Sequence, residues 1–407
     1  MRASSRQKLM SVVFIVMVAG AAALPGLAQT RRPATRKPTA SKKVPTPSAA
    51  AFEDIRLRAA AAREANQLAE AINLYRQAVG LRPSWEEGWW YLATMLYELD
   101  RYAEARDAFR SFVAIQPKGG AGWALMGLCE FRLREYEAAL THIQRGRLLG
   151  LGDSEQLIFV TRYHAALLLT RFAQFEGALE ILNYLARTLP NENPSVVEAV
   201  GLGALRIPLL PAEIPADQRE LVIKAGRASY LQFARRLPDA EKEFAELVAR
   251  YPDVPNVNYA HGVFLLDVKP EAAPDAFLRE IKISPSHVAA RVQLAFLYIN
   301  RGEHVNGLPF AEQAVELAPG LFAARNALGR ILIEIGDVAR AIKELEAGVR
   351  QAPDSPEMHF ALARAYTRAG RAQDARQART NFLRLDKIRR TGRDGAQSVG
   401  GAADDKP

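Results

Sequence analysis

Residues that could perform catalysis are few in this chain of 407 residues, and they are scattered. The six histidines are far apart, and none stands in an HExxH or HxH arrangement of the kind that binds zinc. The single cysteine, Cys129, cannot form an internal disulfide and has no partners at zinc-binding spacing. We therefore expect Cys129 to be a small, buried, apolar residue. The histidines are His142, His164, His261, His287, His304 and His359.

The glycine-rich and nucleophile motifs of common enzymes are also missing from the sequence. Gly201 and Gly203 are followed by no third glycine at the spacing of a dinucleotide-binding loop, and they fall inside a predicted helix. The sequence contains no GxSxG and no GxxxxGK motif. These observations predict a protein without a catalytic site, a cofactor or a bound metal. One alternative is an enzyme whose pocket is shaped by the proline-rich residues 207–215.

The net charge of +9 first suggests a negatively charged partner such as a nucleic acid. Most of this excess lies near the amino terminus. Residues 1–50 contain nine Lys and Arg and no acidic residue, whereas residues 51–387 contain 41 basic and 42 acidic residues. A nearly neutral folded region argues against nucleic-acid binding. We also expect no small-molecule substrate.

The first 28 residues have the layout of a secretory signal peptide. Basic residues precede an uncharged apolar run from Leu9 to Leu24, and small residues up to Ala28 suit cleavage there. We expect an exported protein, periplasmic or secreted, whose mature chain begins at Gln29. The apolar run has sixteen residues, fewer than the roughly 20 that span a bilayer comfortably. The alternative is an uncleaved anchor that holds the protein at the inner membrane, facing outward.

Two further segments lack the apolar periodicity of a folded chain. Residues 29–50 consist mainly of Arg, Lys, Pro, Thr, Ser and Ala, which predicts a disordered basic linker. Its six basic residues, all within 31–43, could make weak contact with a membrane or a cell-wall polymer. Residues 388–407 are rich in Gly, Ala and charge, and they are expected to be a disordered tail.

Between these ends the sequence repeats every 34 residues. Trp89 and Trp123 are 34 residues apart, and so are Pro83 and Pro117. The same interval relates Ala71, Ala105 and Ala139, and also Pro285, Pro319 and Pro353. Together with the many Ala, Leu, Arg and Glu residues, this repetition predicts an all-α protein.

The spacing and residue types resemble the tetratricopeptide repeat. In that family a Trp-type residue, Leu, Gly or Ala, and Tyr lie on a first helix, whereas Ala, Phe and an exit Pro lie on a second. One repeat here carries Trp89, Leu92, Ala93, Ala105, Phe109 and Pro117, and the next carries Trp123, Met126, Gly127 and Ala139. Later repeats carry Leu294, Ala295, Tyr298, Ala314 and Pro319, then Leu328, Gly329, Ala341 and Pro353, then Leu362, Ala363, Tyr366 and Ala375.

The resemblance implies a right-handed superhelical solenoid of antiparallel helix pairs, with about nine repeats. Small residues are needed where two helices cross closely, and proline ends the second helix of each pair. A single repeat cannot bury its own apolar face, so the repeats must stack. The expected repeats are 52–85, 86–119, 120–153, 159–192, 221–254, 255–287, 288–321, 322–355 and 356–387.

The repetition breaks once, which divides the predicted solenoid into two blocks. An N-terminal block of residues 51–192 and a C-terminal block of residues 221–387 flank an insertion at 193–220. Within the insertion, Ser195 to Arg206 predicts one helix, whereas the three prolines between 208 and 215 do not allow a helix to continue. Its Ile and Leu residues predict that the insertion is ordered and packs on the repeats.

The resemblance also places a partner-binding groove on the concave side, lined by the first helix of every repeat. The residues at groove-facing positions are Trp90, Tyr97, Phe131, Tyr163, Tyr259, Phe296, Asn326, Arg330, Phe360, Arg364 and Arg368. The aromatic N-terminal half suits an apolar or extended peptide, and the C-terminal half, with Asn326 and several arginines, suits backbone or carboxylate groups. The alternative is that many of these aromatic rings pack between helices.

The function that follows is a non-catalytic scaffold that binds peptide or protein partners in the bacterial cell envelope. If residues 9–24 stay uncleaved, the protein is instead a membrane-tethered assembly factor.

Overall fold

The structure is a computed structural model, and it describes residues 47–398. Within this range the chain forms 19 α-helices, one 3-10 turn and no β-strand, which confirms the predicted all-α fold. The chain divides after Gln218 into two compact units, which we call unit 1 and unit 2. The predicted signal peptide and residues 29–46 of the predicted linker lie outside the described residues.

Unit 1 contains four antiparallel helix pairs followed by a single helix and a 3-10 turn at Pro211–Glu213. Its helices are α1 Pro47–Glu64, α2 Leu68–Leu81, α3 Glu86–Glu98, α4 Tyr102–Ile115, α5 Gly120–Arg132, α6 Tyr136–Leu149, α7 Glu155–Arg171, α8 Phe175–Thr188 and α9 Pro194–Ala204.

Unit 2 contains five further pairs, so the described chain carries nine pairs, the number that the repeats predict. Its helices are α10 Arg219–Phe233, α11 Leu237–Arg250, α12 Val257–Val268, α13 Ala273–Ile283, α14 Val288–Arg301, α15 His304–Leu317, α16 Phe322–Glu334, α17 Val338–Gln351, α18 Pro356–Arg368 and α19 Ala372–Ser398.

Small residues lie where the two helices of a pair cross. A β-carbon added to Gly127 on α5 would come within 2.9 Å of the Ala139 carbonyl oxygen on α6. One added to Gly329 on α16 would lie 2.4 Å from Leu345 on α17. Ala93 has no exposed surface at the equivalent position of α3. The helices of a pair therefore approach so closely that a larger side chain would force them apart.

The turn between the two helices of a pair has a regularity of its own. In unit 1 it contains a residue with left-handed backbone, and Asn66, Asp100 and Arg134 take this conformation at 34-residue spacing. In unit 2 the glycines Gly302 and Gly336 do so at the same spacing. A left-handed residue at this place ends the first helix and reverses the chain.

The insertion is ordered and packs on unit 1. Leu210 and Ile214 are buried, and Arg171 of α7 donates a hydrogen bond of 2.5 Å to Glu213. An ion pair between Arg206 and Glu176 of α8, at 2.7 Å, also joins the insertion to the repeats. The three prolines allow no α-helix, but a single 3-10 turn forms among them, because proline is accepted at the first position of a turn.

Both ends of the described chain are more helical than the sequence indicated. Helix α1 begins at Pro47, four residues inside the predicted linker, because proline suits the first turn of a helix. Helix α19 continues through residues 388–398, which we expected to be unstructured. Arg389 pairs with Glu357 of α18 and with Asp386, so charged contacts hold a segment that lacks apolar periodicity. No described helix is long and apolar enough to cross a membrane.

Candidate partner-binding surfaces

Four of the expected groove residues of unit 2 come together on the first helices of three successive pairs. The Arg330 guanidinium on α16 lies 5.6 Å from the ring centroid of Phe296 on α14. Glu334, at the end of α16, accepts a hydrogen bond from Arg364 of α18, and its second oxygen is 3.9 Å from Arg368. We call Phe296, Arg330, Arg364 and Arg368 the arginine strip.

The arginine strip is rich in positive charge. Its three guanidinium groups lie around one carboxylate, Glu334, which is itself three-quarters buried. Burial lowers the pKa of Arg330, and the nearby charge of Arg364 lowers it further. Two cations that repel each other across the strip would be stabilised by an added anion.

A cleft of 350 Å³ opens beside the arginine strip, between α18 and α19, and we call it the unit 2 cleft. Its apolar residues are unusually exposed, since Phe360 is 50% and Leu383 is 60% accessible. The ring of Phe382 lies 5.2 Å from that of Phe360, so the two rings form one aromatic edge. The cleft is lined by Phe360, Ala363, Arg364, Thr367, Arg368, Arg379, Phe382 and Leu383.

Two other expected groove residues of unit 2 lie in the interior. Asn326 is only 6% exposed, and its side-chain oxygen has no hydrogen-bond partner among the described residues. Tyr259 is 9% exposed, with its ring 5.8 Å from that of Phe277 and 4.7 Å from that of His287. The alternative interpretation, packing between helices, therefore describes both residues better than an open groove does.

Three of the expected groove aromatics of unit 1 are partly buried, and each packs against another ring. Phe131 packs its ring 4.7 Å from His164 of α7, edge to face. Tyr163 stacks on Phe159 at 6.1 Å, and Tyr97 meets Tyr102 edge-on at 5.5 Å. Burial raises the pKa of Tyr97, and it raises that of Tyr163 to about 12. These rings serve packing as well as any surface.

Trp90 is 4% exposed and packs against Phe109 and Phe112 of α4, with the Phe112 ring 5.1 Å away. We expected Trp90 to lie on an open groove. It instead lines a cleft of 730 Å³ in unit 1, which we call the unit 1 cleft. The cleft is lined by Trp85, Glu86, Glu87, Trp90, Phe112, Gln116, Lys118, Gly119, Gly120, Ala121, Gly122, Gly150, Leu151 and Gly152. Residues 207–215 line neither cleft.

One pairing of titratable groups was missed in the sequence. His142 on α6 lies 2.7 Å from the buried carboxylate of Glu130 on α5, and the Trp123 ring is 5.3 Å from the imidazole. The two residues are twelve apart and meet because their helices form a pair, so no short motif signals them. Cys129 is fully buried, as predicted, and burial raises its thiol pKa. Among the described residues no group of three His, Cys, Asp or Glu could hold a metal ion.

A family model supports the repeat assignment. The family model described as tetratricopeptide repeat matches residues 56–120 and 326–378. Among solved structures, MamA from Desulfovibrio magneticus RS-1 is 18% identical with a TM-score of 0.37, over 42% of this chain and 96% of that one. YrrB, described as a TPR protein with an unusual peptide-binding site, is 16% identical with a TM-score of 0.36, over 40% of this chain and 86% of that one. No curated protein matches the sequence.

Proposed function

The chain is a tetratricopeptide-repeat protein, and from that premise we propose that it is a non-catalytic scaffold that binds other polypeptides. The fold itself suggests protein–protein interaction. We further propose that unit 2 binds a partner segment that carries a carboxylate next to an apolar side chain.

The observation that carries this proposal is the position of the arginine strip beside the unit 2 cleft. Arg364 and Arg368 belong to both, so a single partner segment can contact charge and exposed apolar surface together. Guanidinium groups bind carboxylates through paired, charge-assisted hydrogen bonds. Phe360 and Leu383 are exposed apolar side chains that line the same cleft. They therefore form one apolar patch, unlike single apolar residues scattered over a surface.

Peptide binding to the full chain tests this function directly. Labelled peptides that contain Asp or Glu beside Leu or Phe are titrated by fluorescence anisotropy, with otherwise identical peptides that carry Lys in place of the acid. We expect the acidic peptides to bind more tightly. The double variant Arg364→Ala, Arg368→Ala should weaken their binding by about tenfold or more, because both cations are lost.

The matched control is Arg376→Ala, Arg384→Ala, which removes the same charge from exposed positions of α19 that do not line the cleft. If both double variants lower affinity equally, the effect is one of net charge and the proposed site is wrong. If acidic and basic peptides bind alike to the native chain, the proposed partner chemistry is wrong.

We also propose that the protein works in the bacterial cell envelope. The support is the layout of residues 2–28, with basic residues, an apolar run and a small-residue cleavage site. Mass spectrometry of the amino terminus of protein isolated from cells separates the two versions of this proposal. A mature chain that begins at Gln29 supports an exported protein, whereas an intact terminus in the membrane fraction supports the tethered assembly factor.

A further inference from the structure

The walls of the unit 1 cleft are aromatic rings that lie against glycines. A β-carbon on Gly88 would come within 2.1 Å of the Trp85 ring, and one on Gly122 within 2.5 Å of the Phe112 ring. The rings can occupy these places only because both positions lack a side chain. The sequence therefore creates a space with apolar, π-rich sides at the starts of α3 and α5.

Trp90 also lines the unit 1 cleft, although it is almost fully buried. Its indole nitrogen makes no hydrogen bond with any residue that the structure describes, but that atom has no accessible surface. A ligand in the cleft therefore contacts the edge of the ring and not the N–H, and Trp90 adds apolar surface.

The rim of the cleft is acidic on one side. Glu86 and Glu87 both line it and are exposed, and the Gln116 amide lies 3.5 Å from Glu86. Lys118 is the only cation among the lining residues. Aromatic rings beside carboxylates favour a Lys or Arg side chain, which can sit on a ring face and pair with an acid at once. The Arg82 guanidinium already lies 3.7 Å from the Phe52 ring next to Trp85.

The chain itself carries a segment of the matching chemistry. Residues 31–43 contain six basic residues, two prolines and no acid. Proline-rich peptides commonly dock on aromatic-lined grooves. The segment lies outside the described residues, but the described chain starts close to the cleft, because Phe52 of α1 packs its ring 5.3 Å from that of Trp85.

The chain between the basic segment and Phe52 is short, which keeps the segment near the unit 1 cleft. The helix between Phe52 and Pro47 spans about 7.5 Å, and the four residues back to Lys43 add at most about 14 Å. Lys42 and Lys43 are thus tethered within roughly 30 Å of Trp85, which corresponds to an effective concentration in the millimolar range.

We propose that the unit 1 cleft binds the basic segment of the same chain, residues 31–43. A Lys or Arg side chain lies against Trp85 and pairs with Glu86 or Glu87. This site is separate from the arginine strip, and its charge preference is the opposite one.

Zero-length carbodiimide cross-linking of the full chain, read by mass spectrometry, tests the proposal. The reagent joins a lysine amine to a carboxylate in direct contact. We expect the main products to join Lys42 or Lys43 to Glu86 or Glu87. The built-in control is the pair Glu53 and Asp54, exposed acids that are nearer to Lys43 along the chain. A loose arm would react with these two at least as often, and that result would overturn the proposal.

A binding competition gives an independent measurement. In a neutral-arm variant of the full chain, all six basic residues of 31–43 are replaced by Gln. A labelled peptide of residues 29–46 should bind this variant about tenfold more tightly than the native chain, whose cleft is already occupied. Adding Glu86→Gln and Glu87→Gln should abolish the gain. Equal binding of the peptide to the native and neutral-arm chains would refute the site. A peptide that binds phosphatidylglycerol vesicles but neither chain would refute it as well. Mixing ¹⁵N-labelled and unlabelled chains distinguishes a segment bound within its own chain from one exchanged with a second copy.

Discussion

The indole N–H of Trp89 donates a hydrogen bond of 2.8 Å to the carbonyl oxygen of Pro83, six residues earlier. The same bond recurs with different donors: Trp123 to Pro117 at 3.0 Å, Asn258 to Pro252 at 2.8 Å, Arg325 to Pro319 at 3.0 Å, and His359 to Pro353 at 2.8 Å. Each proline lies just after a second helix, where carbonyl groups lack partners within the helix. The bond therefore fixes how one repeat leads into the next.

Replacing Trp89 by Phe tests the value of this bond, because the substitution removes the donor and keeps a large ring. We expect the free energy of unfolding to fall by about 1 kcal/mol, the usual contribution of a single hydrogen bond. The measurement is urea-induced unfolding followed by circular dichroism. Trp123→Phe should reproduce the loss one repeat later. A loss in neither variant would mean that the ring alone holds the turn.

The recurrence explains what the sequence could and could not predict. Trp89 and Trp123 were recognisable as a repeat, but Asn258, Arg325 and His359 hold the same place without resembling Trp. They share only the ability to donate a hydrogen bond. A search for residue types therefore finds the repeats with aromatic donors more readily than the others, although all form helix pairs.

The candidate site shows a similar limit. The resemblance to the tetratricopeptide repeat placed Arg330, Arg364 and Arg368 on one face of the predicted solenoid, and the structure brings them together around Glu334. The sequence could not predict that Trp90 would turn toward Phe112, because that orientation depends on the space that Gly122 leaves on a neighbouring helix. Packing between repeats, more than spacing within one, decides which ring is exposed.

The left-handed turns predict a matched pair of stability changes. Ala173 has φ of 55° in the turn after α7, where a β-carbon is strained, so Ala173→Gly should stabilise the protein by up to about 1 kcal/mol. Gly336 has φ of 89° with open space around it, so Gly336→Ala should destabilise by about 1 kcal/mol or more. Thermal unfolding of the two variants beside the native protein gives both signs. Changes in the same direction would show that backbone strain is not the cause.

Glu280 is expected to be one of the most sensitive positions of unit 2. Its side chain is fully buried, and its two carboxylate oxygens accept the backbone N–H groups of Asn256 and Tyr259 at 2.8 and 3.2 Å. It thereby caps the start of α12 from the neighbouring helix α13. Glu280→Ala leaves both donors unpaired and should cost about 2–4 kcal/mol in denaturant unfolding. Glu280→Gln keeps one acceptor and should cost less, so an equal loss in both would contradict the capping role.

Acid should destabilise the protein through two histidines held neutral in the fold. Burial lowers the pKa of His164 to about 4; the charge of Arg132 lowers it further, and only the hydrogen bond to the Val160 carbonyl oxygen raises it. Burial lowers the pKa of His261 to about 4 as well. Their ordinary value is 6.5, so below that pH the unfolded chain binds protons that the folded chain does not. Stability is complete above pH 7 and is lost as the pH falls from 6.5 toward 4.

The double variant His164→Phe, His261→Phe separates this effect from general acid denaturation. Urea unfolding at pH 7.5 and at pH 5 should show a smaller difference in the variant than in the native chain, by on the order of 1–3 kcal/mol. His304, which is half-buried at the start of α15, provides the control, and His304→Phe should leave the difference unchanged. An equal pH dependence in the native chain and the double variant would show that these two side chains do not control the acid response.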